Sequence, residues 1–134
     1  IPAATPESMC NPEFKGRFYD YAATARSFAA LQYPGETVFR GVMPAWDNTA
    51  RRQHDSDIFL GATPELYEEW LRRMIAETRE QRFGDERLLF VNAWNEWAEG
   101  NHLEPDARYG FGYLEATRRA LDAVIPARGV GCDV

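Results

Sequence analysis

The segment Asn95-Glu-Trp-Ala-Glu-Gly100 concentrates the side chains best suited to chemistry in this 134-residue chain. Glu96 and Glu99 stand three positions apart, so a helical turn there would make their carboxylates neighbours. Two carboxylates held together among indole rings titrate apart, because apolar surface and mutual repulsion act on them unequally, and such a pair suits general acid and base work. Trp94 precedes the pair, Trp97 stands between its members, and Asn95 adds an amide. A sugar fits this combination: its C–H faces stack on aromatic rings while carboxylates and amides take its hydroxyls. A plainer reading also stands. The carboxylates could cap the following helix or meet an arginine, since ion pairs of purely structural purpose use the same groups.

A second cluster places Trp46, Asp47, Asn48, Arg51 and Arg52 within seven positions. Trp46 offers a stacking surface, Asp47 and Asn48 offer groups for hydroxyls, and Arg51 offers a fork for an anionic group. One of the two arginines is expected to pair with Asp47 and stiffen the loop, and His54 is expected to be solvated. His102 and Glu104 follow closely on the carboxylate pair, which raises a metal site built from Glu96, Glu99 and His102. That spacing matches no pattern of the H-E-x-x-H kind and supplies one local histidine, so no metal is expected. Gly110-Phe-Gly112 lacks the setting and the third glycine of a phosphate loop, and none of the three serines sits in a nucleophile elbow. No cofactor is expected.

The elements that must position these residues follow from periodicity. Tyr21 to Leu31 is Ala-rich, with Phe28 and Leu31 at helical spacing, and it stops before Tyr33-Pro34-Gly35. Thr37 to Met43 is short and β-rich. Thr63 caps a helix that begins with Pro64 and Glu65, and its buried stripe is Leu66, Trp70, Leu71, Met74 and Ile75. Leu88 to Trp94 is an almost unbroken apolar run, which predicts a strand covered on both faces. Tyr113 to Ile125 predicts a last helix with Leu114, Leu121, Val124 and Ile125 inward. Strands separated by helices of this length indicate an α/β fold of right-handed βαβ units. Both polar loops then follow the carboxyl ends of strands, the edge that carries function in such folds.

Composition narrows the partners. There are 15 basic and 21 acidic side chains, a net charge of -6. The positive field that nucleic acid or an anionic membrane surface would need is absent. No apolar run approaches the roughly 20 residues of a membrane span, so no membrane insertion is expected. Fourteen of the 15 basic side chains are arginine, a bias that genome composition also produces. Cys10 and Cys132 lie at opposite ends, form no C-x-x-C pair, and are taken as two unrelated thiols.

Longer stretches carry a resemblance. Val91-Asn-Ala-Trp-Asn-Glu-Trp-Ala-Glu-Gly-Asn-His-Leu-Glu-Pro-Asp106, with Tyr109-Gly110 and Tyr113-Leu114-Glu115, resembles the C-terminal signature of WbsX-type proteins. Gly41 to Arg52 and Thr63-Pro-Glu-Leu66 resemble the same family's preceding segment, so the likeness runs from about Tyr19 to Leu121. These are bacterial polysaccharide-biosynthesis proteins described as glycosyltransferases and related to glycoside hydrolase family 99. The resemblance implies a (β/α)8 barrel of which residues 1–134 form one unit, the C-terminal portion. It also implies a cytoplasmic bacterial enzyme that acts on an oligosaccharide or polysaccharide, such as a surface polysaccharide or its precursor.

By similarity to the hydrolases, Glu96 would deprotonate the sugar's 2-hydroxyl and Glu99 would serve as acid and base for the leaving group. Asn95 and Glu104 would orient sugar hydroxyls. Ala98 stands where the hydrolases often carry histidine, which leaves sugar preference and the choice between hydrolysis and transfer open. A carbohydrate-binding or scaffolding domain without catalysis is the alternative. Two βα units cannot close an eight-stranded barrel. The chain is therefore expected to need the N-terminal part of the same barrel, and alone to form an open, inactive sheet that self-associates through its strand edges.

Overall fold

The computed structural model describes residues 1–3, 5–6, 9 and 11–124, so Cys10 and Cys132 lie outside the described residues. The element order is β1 (Arg17–Asp20), α1 (Tyr21–Ala30), β2 (Arg40–Val42), β3 (Asp57–Leu60), α2 (Pro64–Gln81), β4 (Leu89–Val91), β5 (Asn95–Glu96), β6 (Asn101–His102) and α3 (Gly112–Val124). The fold is mixed α/β. β2 and β4 pair in parallel with Arg40 opposite Leu89, and β1 and β3 pair in parallel with Arg17 opposite Asp57. β5 and β6 form a short antiparallel pair. The described residues therefore hold three two-stranded sheets and no closed barrel.

Helix α2 is the spine. The Thr63 hydroxyl accepts from the Leu66 N–H at 3.4 Å, and Pro64 fills the first turn without wasting a donor. The Glu65 carboxyl, bonded by its own N–H and the Thr63 hydroxyl, is held below the ordinary carboxylate range. Tyr67, Trp70, Leu71, Met74 and Ile75 are buried, while Leu66 is only partly so. Trp70 meets Phe28 face to face at 6.3 Å and Tyr21 edge-on at 6.1 Å, which fastens α1 to α2. The Tyr21 hydroxyl donates to the Met43 carbonyl at 2.7 Å, and burial pushes its titration far up. Arg40 of β2 reaches Glu77 of α2 at 2.7 Å, with both side chains largely buried.

Three local expectations change. First, α3 turns Tyr113, Ala116 and Ala120 inward; of the residues expected there, Leu114 and Val124 pack partly buried against the core, Leu121 is exposed, and Ile125 lies outside the described residues. Alanine lets α3 lie close to α2, and Tyr67 and Tyr113 meet edge-on at 5.7 Å across that contact. Second, β4 is not covered on both faces, since Leu88 and Phe90 are 48% and 59% exposed. Helix α2 packs against this strand pair, and the side that carries Phe90 is left open. Third, β1 and β3 are additional strands, the second lying between the β-rich run that ends at Met43 and the Thr63 cap. Among the described residues no helix is long and apolar enough to cross a membrane.

Candidate active site

Both polar loops leave the carboxyl ends of β2 and β4, and the parallel register sets those ends side by side. The first loop turns at Asn48–Ala50, a 3-10 turn capped by Asp47. The Asp47 carboxylate accepts from the N–H and the hydroxyl of Thr49, at 3.0 and 2.6 Å. It therefore pairs with neither arginine, contrary to the expected loop-stiffening ion pair. Its charge is consumed locally because an Asx-type cap two residues away forms with no loss of reach. Arg52 turns instead to Asp55 at 2.9 Å.

The second loop makes a 3-10 turn at Trp97–Glu99, with Glu96 at its start. That turn places the two glutamates on one side, where Arg51 reaches both. Its Nη1 donates to Glu99 Oε1 at 2.8 Å and its Nη2 to Glu96 Oε2 at 3.1 Å. The surroundings of the pair are thus a forked cation as well as indole. Glu99 is mostly buried and Glu96 is 43% exposed. The other oxygen of each carboxylate has no hydrogen-bond partner among the described residues.

The other expected residues gather around this trio. The indole N–H of Trp97 donates to Glu104 Oε2 at 2.6 Å, and its ring stacks on His102 with centroids 3.7 Å apart. Trp94 and Asn95 are exposed at the rim, and the Trp94 carbonyl accepts from the Leu103 and Glu104 N–H groups. Asn48 is partly buried, and its carbonyl accepts from the N–H groups of Arg51 and Arg52. Trp46 lines an open groove of about 490 Å³ with Phe59, His102, Arg108 and Tyr109. Arg51, expected to take an anionic group, is instead held between the glutamates, because two carboxylates within reach outcompete water for its fork. His54 is exposed.

Two residues were given no role by sequence reasoning. Gly100 follows the glutamate turn at φ +56°, and a Cβ there would meet Asp47 atoms at 3.0–3.2 Å. Its position after a polar turn was the available signal. Asp106 accepts from the N–H groups of Arg108 and Tyr109 at 2.7 and 2.6 Å, and its other oxygen lies 3.1 Å from His102 Nε2. Burial alone would raise this carboxyl, but the bonds from Tyr109, His102 and Arg108 outweigh it and hold the group below its ordinary range. A Pro-Asp pair opening a turn was the signal. Among the described residues no three His, Cys, Asp or Glu side chains are placed to hold a metal ion.

Comparison with known proteins matches the sequence to a family. The family model described as "Glycosyltransferase WbsX" matches residues 3–117. A protein of Xanthomonas campestris pv. campestris strain B100, "Uncharacterized protein WxcX", is 42% identical over 115 residues. Its counterpart in strain ATCC 33913 shows the same identity over the same length. The match covers 86% of this chain but 16% of the relative, so the chain spans a small part of the curated relatives it matches. No solved structure matches. The chain belongs to the WbsX glycosyltransferase family.

Proposed function

We propose that the chain forms part of a carbohydrate-active enzyme of polysaccharide biosynthesis, acting on glycosidic bonds of a bacterial surface polysaccharide or its precursors. One observation carries this reading: a single guanidinium gathers Glu96 and Glu99 on one side of a turn and leaves an oxygen of each unbonded. Trp97 beside them offers a half-exposed ring for the C–H face of a sugar.

In the mechanism this supports, Glu96 takes the proton of the sugar's 2-hydroxyl, and that oxygen attacks its own anomeric carbon. Glu99 begins this step protonated on the oxygen that Arg51 does not bond, and the bond to the leaving oxygen breaks as Glu99 gives it that proton, producing a 1,2-anhydro sugar. Water, or an acceptor hydroxyl, then opens the ring after losing a proton to Glu99, and Glu96 returns its proton to the 2-oxygen. The scheme needs no enzyme nucleophile, unlike the common double displacement. The parallel β2–β4 pair, with its loops at the carboxyl ends and Phe90 exposed, supports placement within a (β/α)8 barrel of the family 99 kind. The upstream part of that barrel would complete the site and cover the exposed strand.

The test is incubation of the full-length protein with candidate glycans, with and without nucleotide sugars, while release or transfer is followed. Turnover that disappears with Glu96→Gln or Glu99→Gln while folding persists is the expected result. Turnover unchanged by both substitutions would remove the acid/base reading. A non-catalytic carbohydrate-binding domain is the second reading, favoured by exposed Trp94 and Trp97. It predicts glycan binding that depends on Trp97 and not on the two carboxylates.

A further inference from the structure

Asp106 anchors a chain of contacts that ends in the candidate site. Its own backbone is fixed, because its N–H and carbonyl both bond Gly110, at 3.2 and 2.9 Å. One carboxylate oxygen is occupied by the Arg108 and Tyr109 N–H groups, and the other faces His102 Nε2 at 3.1 Å. His102 Nδ1 is buried and has no partner among the described residues. A proton there would be a buried donor with nothing to bond, which is costly. The neutral ring therefore carries its proton on Nε2 and gives it to Asp106. That bond sets the imidazole plane.

The plane matters because Trp97 lies on it. The two rings are 3.7 Å apart between centroids and 17° from parallel. The Trp97 N–H is held at 2.6 Å by Glu104. One face and one edge of the indole are thus secured, yet the residue is 48% exposed, so the other face is open. An indole this exposed and lacking such contacts would move among several rotamers.

We infer that Asp106 is a positioning residue: acting through the His102 imidazole, it sets the plane of Trp97 and leaves one indole face open for a sugar ring. The use by a sugar rests on the function proposed above, whereas the mechanical linkage does not. Asp106 touches no substrate in this scheme. It acts by holding the platform that stands between the two glutamates in the chain.

The test uses the protein labelled with 15N at tryptophan and histidine. The expected spectrum shows His102 with its proton on Nε2 and a slowly exchanging Trp97 indole N–H. Asp106→Asn keeps an oxygen for the turn but presents an N–H to His102, so the ring's tautomer changes and the Trp97 N–H exchanges about tenfold faster or more. His102→Phe keeps a flat ring without the tether and gives a similar acceleration. Combining the two adds less than about twofold, the signature of one shared path. Wild-type tautomer and exchange in Asp106→Asn would overturn the inference, as would equal acceleration by Asp106→Asn with and without His102→Phe. Should Asp106→Asn fail to fold, unchanged Trp97 exchange in His102→Phe alone overturns it. Glycan turnover in Trp97→Ala is read separately: if it is unchanged while the exchange results hold, the proposed use of Trp97 falls and the linkage stands.

Discussion

The backbone N–H of Asp47 donates to the carbonyl of Glu99 across 2.8 Å, and this bond joins the loop after β2 to the loop after β4. Gly100 makes the approach possible, since it has φ +56° and no Cβ to press on Asp47. Gly100→Ala is expected to cost about 1–2 kcal/mol from the backbone alone, with more from the displaced Asp47. Thermal unfolding would show a lower Tm together with loss of any activity. An unchanged Tm would contradict the close approach.

Glu96→Gln and Glu99→Gln are each expected to lower turnover by about 10²–10⁴-fold while leaving the fold intact. Circular dichroism alongside the glycan assay separates the two effects. Glu99→Gln should also weaken the Arg51 contact more than Glu96→Gln does, because Glu99 is the shorter and more buried partner.

The α2–α3 contact depends on small side chains. Ala116 and Ala120 are fully buried, so Ala120→Leu would force the helices apart and destabilise by about 1–3 kcal/mol. Denaturant titration would register this as a lower midpoint. A stability equal to wild type would mean that the contact has room to spare.

Asp106 gives a pH-dependent signal. Its carboxyl is partly buried, which alone would raise its titration, but the bonds from Tyr109, His102 and Arg108 leave it below the unfolded value of 3.8. The folded state therefore favours the ionised form. Its stabilising share is complete well above that value and disappears as pH falls through the folded pKa. The Tm gap between wild type and Asp106→Asn should be widest near neutral pH and narrow below about pH 4. A gap independent of pH would assign the cost of the substitution to geometry instead of charge.

The local signals were legible. Thr63 and Pro64 start α2 where capping chemistry says, and the stripe through Trp70 and Met74 is its buried face. β2 and β4 lie within the short β-rich runs that suggest them. Pairings across long separations were not legible. Arg51 meets Glu96 and Glu99 from 45 and 48 positions away, and β1 finds β3 from 40, so no local pattern reveals which partner wins. Leu114 and Val124 of α3 do pack against the core, but the most buried part of its inner face was hidden for another reason. Leucine is the better guess for burial by hydrophobicity, but close helix packing selected Ala116 and Ala120.

The parallel register of β2 against β4 has a consequence for how the protein assembles. Arg40 faces Leu89, so the intervening segment, α2 included, must be laid down before the second strand can find the first. Closing so large a loop is entropically slow, and its reward comes only when the strands meet. The Arg51–glutamate fork spans nearly the same separation and so has to form at that late stage. A nascent chain that already contains a finished α2 still lacks the fork, because Glu96 and Glu99 follow β4 in the sequence.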